Sequence, residues 1–98
     1  MKSLIYSERS LVDIEGILEY ISRDKPEAAV RFVEQILSQC ELLCAAPELG
    51  ESRPHLIPEL RVFSFRNYGI YYRVLLDQVR VERVLHGALN ITLRDFLE

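Results

Sequence analysis

The apolar residues of this chain change their spacing once, across a stretch at residues 47–58 that holds Pro47, Pro54 and Pro58. Proline lacks an amide hydrogen and pushes the residue before it out of the helical region, so this stretch reads as a loop. Before it, apolar residues recur every third or fourth position. After it, they crowd into runs rich in Val, Ile, Tyr and Phe. A helical half therefore precedes a β half, and the fold must lay one on the other.

The helical half opens with a short strand over residues 2–6. Ser7 then serves as a helix N-cap with Glu8 in the favoured acidic first turn. Leu11, Ile14, Leu18 and Ile21 line one face, widened by Ile17, while Asp13, Glu15, Glu19 and Arg23 take the other, giving a helix of about four turns. Asp24 or Lys25 caps a second helix that has Pro26 at its first position and Glu27 behind it. Its apolar face runs through Ala29, Phe32, Val33, Ile36, Leu37, Cys40, Leu43 and Cys44, with Arg31, Glu34, Gln39 and Glu41 toward water, and Pro47 and Gly50 end it. Two amphipathic helices with so tight a joint form a hairpin.

The β half reads as three strands, at residues 60–65, 68–76 and 78–86, joined by turns at Arg66-Asn67 and Asp77-Gln78. Turns this short make an antiparallel meander. Alternation fails in the last strand, where Val79, Val81 and Leu85 share a face with Arg83. Either a bulge shifts the register near Arg83, or an arginine with a partner lies on the apolar face. The bulge is preferred, because a buried unpaired guanidinium is too costly. The tail from Gly87 ends in a helical turn around Leu93-Arg94-Asp95-Phe96-Leu97, capped by Asn90 or Thr92. The first strand must also join the sheet, since alone its backbone would be unpaired. The expected fold is α+β: one domain over residues 1–98, with a four-stranded sheet covered on one face by the helical hairpin. Its uncovered face is the natural place for a partner.

Composition narrows the function classes. The chain of 98 residues carries a net charge of −3, against nucleic-acid binding that relies mainly on phosphates. Residues 51–98 nonetheless hold seven arginines, no lysine and six acids. Arginine is the side chain suited to bidentate contact with carboxylates or phosphates. No apolar run approaches a membrane span, and Glu8, Arg9 and Asp13 follow too soon for a secretory leader, so a cytoplasmic protein is expected. Cys40 and Cys44 share a helix face but lack a neighbouring ligand pair, so core packing is expected, with no metal and no cofactor. The chain has no Gly-x-Ser-x-Gly, Walker loop or His-Glu-x-x-His.

Several stretches, in order, carry a family resemblance. They are Pro47-Glu48-Leu49-Gly50-Glu51-Ser52-Arg53-Pro54, Leu60-Arg61-Val62-Phe63, Tyr68-Gly69-Ile70-Tyr71-Tyr72-Arg73-Val74 and Arg83-Val84-Leu85-His86-Gly87. With Asp13-Ile14, Tyr20-Ile21 and Pro26-Glu27-Ala28-Ala29 they resemble the RelE/ParE superfamily of bacterial type II toxins, over nearly the whole chain. The branch they resemble is ParE, whose members are also labelled plasmid stabilisation proteins. That resemblance implies a toxin that inhibits DNA gyrase by protein contact and is neutralised by a cognate antitoxin. The antitoxin would pair a ribbon-helix-helix or similar DNA-binding domain with a charged C-terminal segment, so the toxin would meet DNA only through it.

Under this reading Arg61, Arg73 and Arg83 are the candidates for antitoxin contact. Tyr68, His86, Leu93, Arg94 and Phe96 are those for the target-facing edge. No residue is assigned a catalytic role. The RelE branch, which cleaves mRNA on the ribosome, resembles this chain around Tyr68, but has a basic residue where Gly69 stands and further ones after the glycine that ends the last strand. Here that glycine is followed by Ala88-Leu89-Asn90, and the tail holds no tyrosine. The alternatives are a ParE-like toxin weakened or turned to another target, or a RelE-like mRNA interferase.

Overall fold

The computed structural model describes residues 1–87 and 89–97. Its elements in order are β1 (Ser3–Tyr6), α1 (Glu8–Ser22), α2 (Pro26–Ala45), β2 (Glu51–Ser52), β3 (Leu60–Phe65), β4 (Tyr68–Val74) and β5 (Gln78–His86). Short 3-10 turns lie at Pro47–Leu49 and Leu93–Phe96. The sheet order is β1-β5-β4-β3-β2, with β1 parallel to β5 and the other pairs antiparallel.

The expected four strands are therefore corrected to five, in a mixed sheet. The extra strand is β2, which pairs Glu51 with Val62 and Ser52 with Arg61. It forms because the loop before it is tied down from the sheet. The Tyr72 hydroxyl donates to Pro47 O at 2.6 Å and accepts from Gly50 N at 2.8 Å, and Arg61 Nη1 donates to Gly50 O at 2.6 Å. Gly50 is required for this approach, since a Cβ there would lie 2.7 Å from Tyr72 Cε1.

The helix ends follow local chemistry. Ser7 Oγ accepts from Ser10 N at 3.0 Å, and Lys25 stands at the α2 N-cap with Pro26 behind it. One face of the hairpin packs on the sheet: Ile14, Ile17, Ile36, Cys40, Leu43 and Cys44 meet Ile70, Tyr72, Val79, Val81 and Val84. Five or more fully buried aliphatic side chains, each contributing roughly 2 kcal/mol, make this layer the core. Leu11, read as part of the α1 apolar stripe, is half exposed, and Ser10 is buried in its place because it bonds to Ser7 O.

The irregularity in β5 is the bulge preferred from the sequence, not an arginine on the apolar face. The register shifts between Tyr71↔Arg83 and Tyr72↔Val81, leaving Glu82 as the extra residue. Val79, Val81 and Val84 thereby all reach the core, while Arg83 faces away from it and finds a partner. Beyond Val81 the strand has lost β1 as its neighbour, and α1 passes along that edge. Asp13 Oδ2 takes the edge amide of Val84 at 3.0 Å.

Candidate functional site

The sheet face away from the helices carries Arg73, Arg80 and Arg83, whereas Arg61, paired with the core residue Tyr72, lies on the helix side. Arg73 and Arg80 are cross-strand neighbours, a like-charge pair that would repel unless bridged. Glu82, nearly buried, bridges them at 3.2 Å from Arg80 Nε and 3.8 Å from Arg73 Nη1. Arg73 also donates to Pro58 O at 3.1 Å and meets Glu59 at 3.4 Å. Glu82 follows Arg80 by two residues and so shares its face, where its carboxylate offsets the repulsion between the two arginines.

Arg83 is committed within the chain. Its Nε and Nη2 grip the two oxygens of Asp13 at 2.7 and 2.8 Å, and its Nη1 donates to Asp95 O at 2.7 Å. Both side chains of the ion pair are 12% exposed, so the fork is largely desolvated. The hydrogen bonds to Asp13 hold the guanidinium charged above its already high range.

Asp95 belongs to the C-terminal tail, which docks on this face. Thr92 and Asp95 form a capping box around the 3-10 turn. Phe96 packs on Tyr71 with ring centres 5.4 Å apart, and Arg9 Nη1 donates to Leu97 O. The Tyr71 ring in turn lies over Gly69, where a Cβ would come within 3.0 Å of its Cε1 and 3.1 Å of Val62 Cγ2.

At the far end of the strands an aromatic series runs from Phe65 through Phe32 and Tyr68 to His86, with centre distances of 5.8, 5.7 and 5.3 Å. It borders a cleft of about 530 Å³ with Tyr20, two-thirds exposed, on its rim. Burial raises the phenols of Tyr68 and Tyr71 above their ordinary value, so both stay protonated near neutral pH and act as donors or ring surfaces.

The structure thus separates the residues expected at the target edge. Tyr68 and His86 touch each other beside the helices, whereas Phe96 packs on the opposite face of the sheet. Leu93 and Arg94 are exposed on the tail. Among the antitoxin candidates, Arg61 binds the carbonyls of the β2 loop, Arg73 spans the arginine-bearing face, and Arg83 is bound to Asp13 and Asp95. Of Ala88-Leu89-Asn90, Ala88 lies outside the described residues. Sequence reasoning missed Asp13 and Glu82 as partners of these arginines. The one available signal was the break in alternation at Arg83, which demands either a bulge or an acid.

Cys40 and Cys44 lie in the core as small hydrophobes, and burial pushes the Cys40 thiol up to about 11. Among the described residues, no helix is long and apolar enough to cross a membrane.

A family model described as "ParE toxin of type II toxin-antitoxin system, parDE" matches residues 4–90. Toxin RelE3 of Caulobacter vibrioides is 32% identical over 88 residues, covering 89% of this chain and 96% of that protein. Toxin ParE3 of the same organism is 32% identical over 83 residues, covering 80% and 83%. A solved chain from the chromosomal ParDE system of P. aeruginosa superposes with a TM-score of 0.76 over 88% of this chain and 96% of that one. Its identity is 22%, so it speaks for the fold alone. With the two-helix cover, the mixed sheet and these matches in agreement, the chain belongs to the ParE toxin family of type II toxin–antitoxin systems.

Proposed function

We propose that this toxin works by protein–protein contact, without catalysis, with DNA gyrase as its target and a cognate antitoxin that silences it in the cytoplasm. The observation that carries this reading is the environment of Gly69. A nuclease of the RelE kind would be expected to place a basic side chain next to Tyr68. Here a Cβ at that position would press on the Tyr71 ring and on Val62, which would have to yield by a few tenths of an ångström to admit a side chain. The protonated phenols of Tyr68 and Tyr71 also make poor bases for deprotonating a ribose hydroxyl.

The antitoxin would pair a ribbon-helix-helix or similar DNA-binding domain with a charged segment that lies on the arginine-bearing face. Arg73 is the strongest contact candidate on that face, since its guanidinium lies at the solvent edge of the bridged cluster. Tyr68, His86, Leu93 and Arg94 remain candidates for the target. A second reading, a toxin turned to another target, is favoured by Ala88-Leu89-Asn90, where ParE-like chains carry basic residues after the His86-Gly87 pair.

Expression without the antitoxin distinguishes the readings. Filamented cells with intact transcripts support gyrase, cut transcripts support the nuclease, and growth arrest with neither supports another target.

A further inference from the structure

Phe65 and Tyr68 are cross-strand partners, so Arg66-Asn67 is a two-residue hairpin turn. Arg66 stands at its first position with φ 56, a conformation that glycine adopts freely and an L side chain resists. Its guanidinium carbon lies 5.5 Å from the centre of the Phe65 ring, which joins it to the aromatic series. Among the described residues it makes no ion pair. A strained turn that sets an unpaired cation beside a run of rings points to a ligand with both a charge and a flat face.

Two concavities share Arg66, Asn67, Tyr68 and His86 as a common wall. On the helix side lies the aromatic cleft of about 530 Å³, completed by Tyr20, Ile21 and Phe32. On the other side lies a basin of about 320 Å³ that adds Arg53, Ser64 and Tyr71. Both volumes fall in the roughly 300–1,000 Å³ range of small-molecule sites. Among the described residues, no acid lines either one. The two offer different chemistry. The cleft presents ring faces, which accept a flat heteroaromatic ring with little regard to its identity. The basin presents two guanidinium forks and a hydroxyl, the groups that suit phosphate oxygens. The Tyr68 phenol between them stays uncharged at neutral pH, so it sets no negative charge against an anion.

We propose that cleft and basin together form a binding site for a free nucleoside diphosphate, its base among Tyr20, Phe32 and Tyr68 and its two phosphate groups at Arg66 and Arg53. The ligand is held without being cut, and the site does not depend on which target the toxin has. Arg66 is the hinge of the arrangement, since it lines both halves. Arg53 now holds Glu51 at 2.8 Å, but that carboxylate is 74% exposed, so exchanging it for a phosphate costs little. A nucleic-acid strand is the less favoured occupant. It would need further cations beyond the basin, and the chain carries a net charge of −3, whereas a free nucleotide needs only the local pair.

The test is titration calorimetry of the full chain with ADP, GDP, CDP and UDP, each beside its own nucleoside, and with pyrophosphate. At least one diphosphate should bind saturably, with its nucleoside and pyrophosphate each roughly 10-fold weaker or more. Arg66→Gly suits the turn, so its melting temperature should equal or exceed the parent's. It should bind that diphosphate roughly 10-fold more weakly, with Arg66→Lys between it and the parent. Tyr20→Ala removes an exposed ring and should weaken binding roughly 5–10-fold. Failure of all four diphosphates to bind overturns the inference, as does binding that Arg66→Gly and Tyr20→Ala leave unchanged. Should Arg66→Gly fail to fold, undiminished binding by Arg53→Ala and Tyr20→Ala overturns it instead. Pyrophosphate binding as tightly as the diphosphate would also overturn it, leaving only an anion patch. So would binding confined to a single-stranded oligonucleotide.

Discussion

The two faces of this sheet are built from alternate residues of the same strands, yet they are held together by different physics. Toward the helices, Ile70, Tyr72, Val79, Val81 and Val84 meet an apolar hairpin and are buried. On the other side, Arg73, Arg80, Glu82 and Arg83 form a charged layer that the C-terminal tail straps at one end. The first face makes the fold, because burial is non-directional and tolerates no water. The second depends on paired geometry, and each pair can be removed singly. The difference shows where to look for partners: on the face whose interactions are specific and only partly used up.

The largest effect should come from the helix side. Leu43→Ala, at a fully buried position, should destabilise the chain by about 4 kcal/mol in urea unfolding. A loss below about 1 kcal/mol would mean that the hairpin is not the main seal.

Next is the most buried ion pair among the described residues. Asp13→Ala strands the Arg83 fork and leaves the Val84 amide uncapped, and should cost about 3 kcal/mol. If it costs as little as an exposed pair, the two faces differ less than stated.

Alkali tests the helix side by charge. Cys40 is held protonated up to about 11, and the neighbouring Tyr6 phenol is raised as well by burial. The unfolded thiol releases its proton near pH 9 while the folded one keeps it, so the unfolded state binds fewer protons there and stability falls as pH rises. Stability should therefore be flat with respect to these groups below about pH 8 and decline by about 2 kcal/mol between pH 9 and 11, as read from urea midpoints.

The smallest effect belongs to Glu59→Ala. It removes only the exposed partner of Arg73 and should change stability by less than about 0.5 kcal/mol. The Arg73–Arg80 neighbourhood should hold on Glu82 alone.

Much of this was legible in the chain itself. The caps at Ser7 and Lys25-Pro26, the hairpin and the three long strands follow from apolar period and from residues with fixed backbone preferences. β2 was not legible, because Glu51 and Ser52 have no strand propensity of their own. They pair only since Tyr72 and Arg61, more than ten residues later, hold the carbonyls before them. The charged face was half legible. The parity break at Arg83 announced a bulge, but local pattern contains nothing about Asp13, seventy positions away, closing on the guanidinium. Arginine identity likewise does not tell a committed fork such as Arg83 from a displayed one such as Arg66. That distinction is made by burial and by the distance to an acid.

The most direct test of the central claim uses purified gyrase and programmed ribosomes side by side, each titrated with this chain. The account predicts that supercoiling is inhibited near stoichiometric toxin and restored by the antitoxin, while ribosome-bound mRNA stays whole. Cleaved mRNA with supercoiling untouched would contradict it.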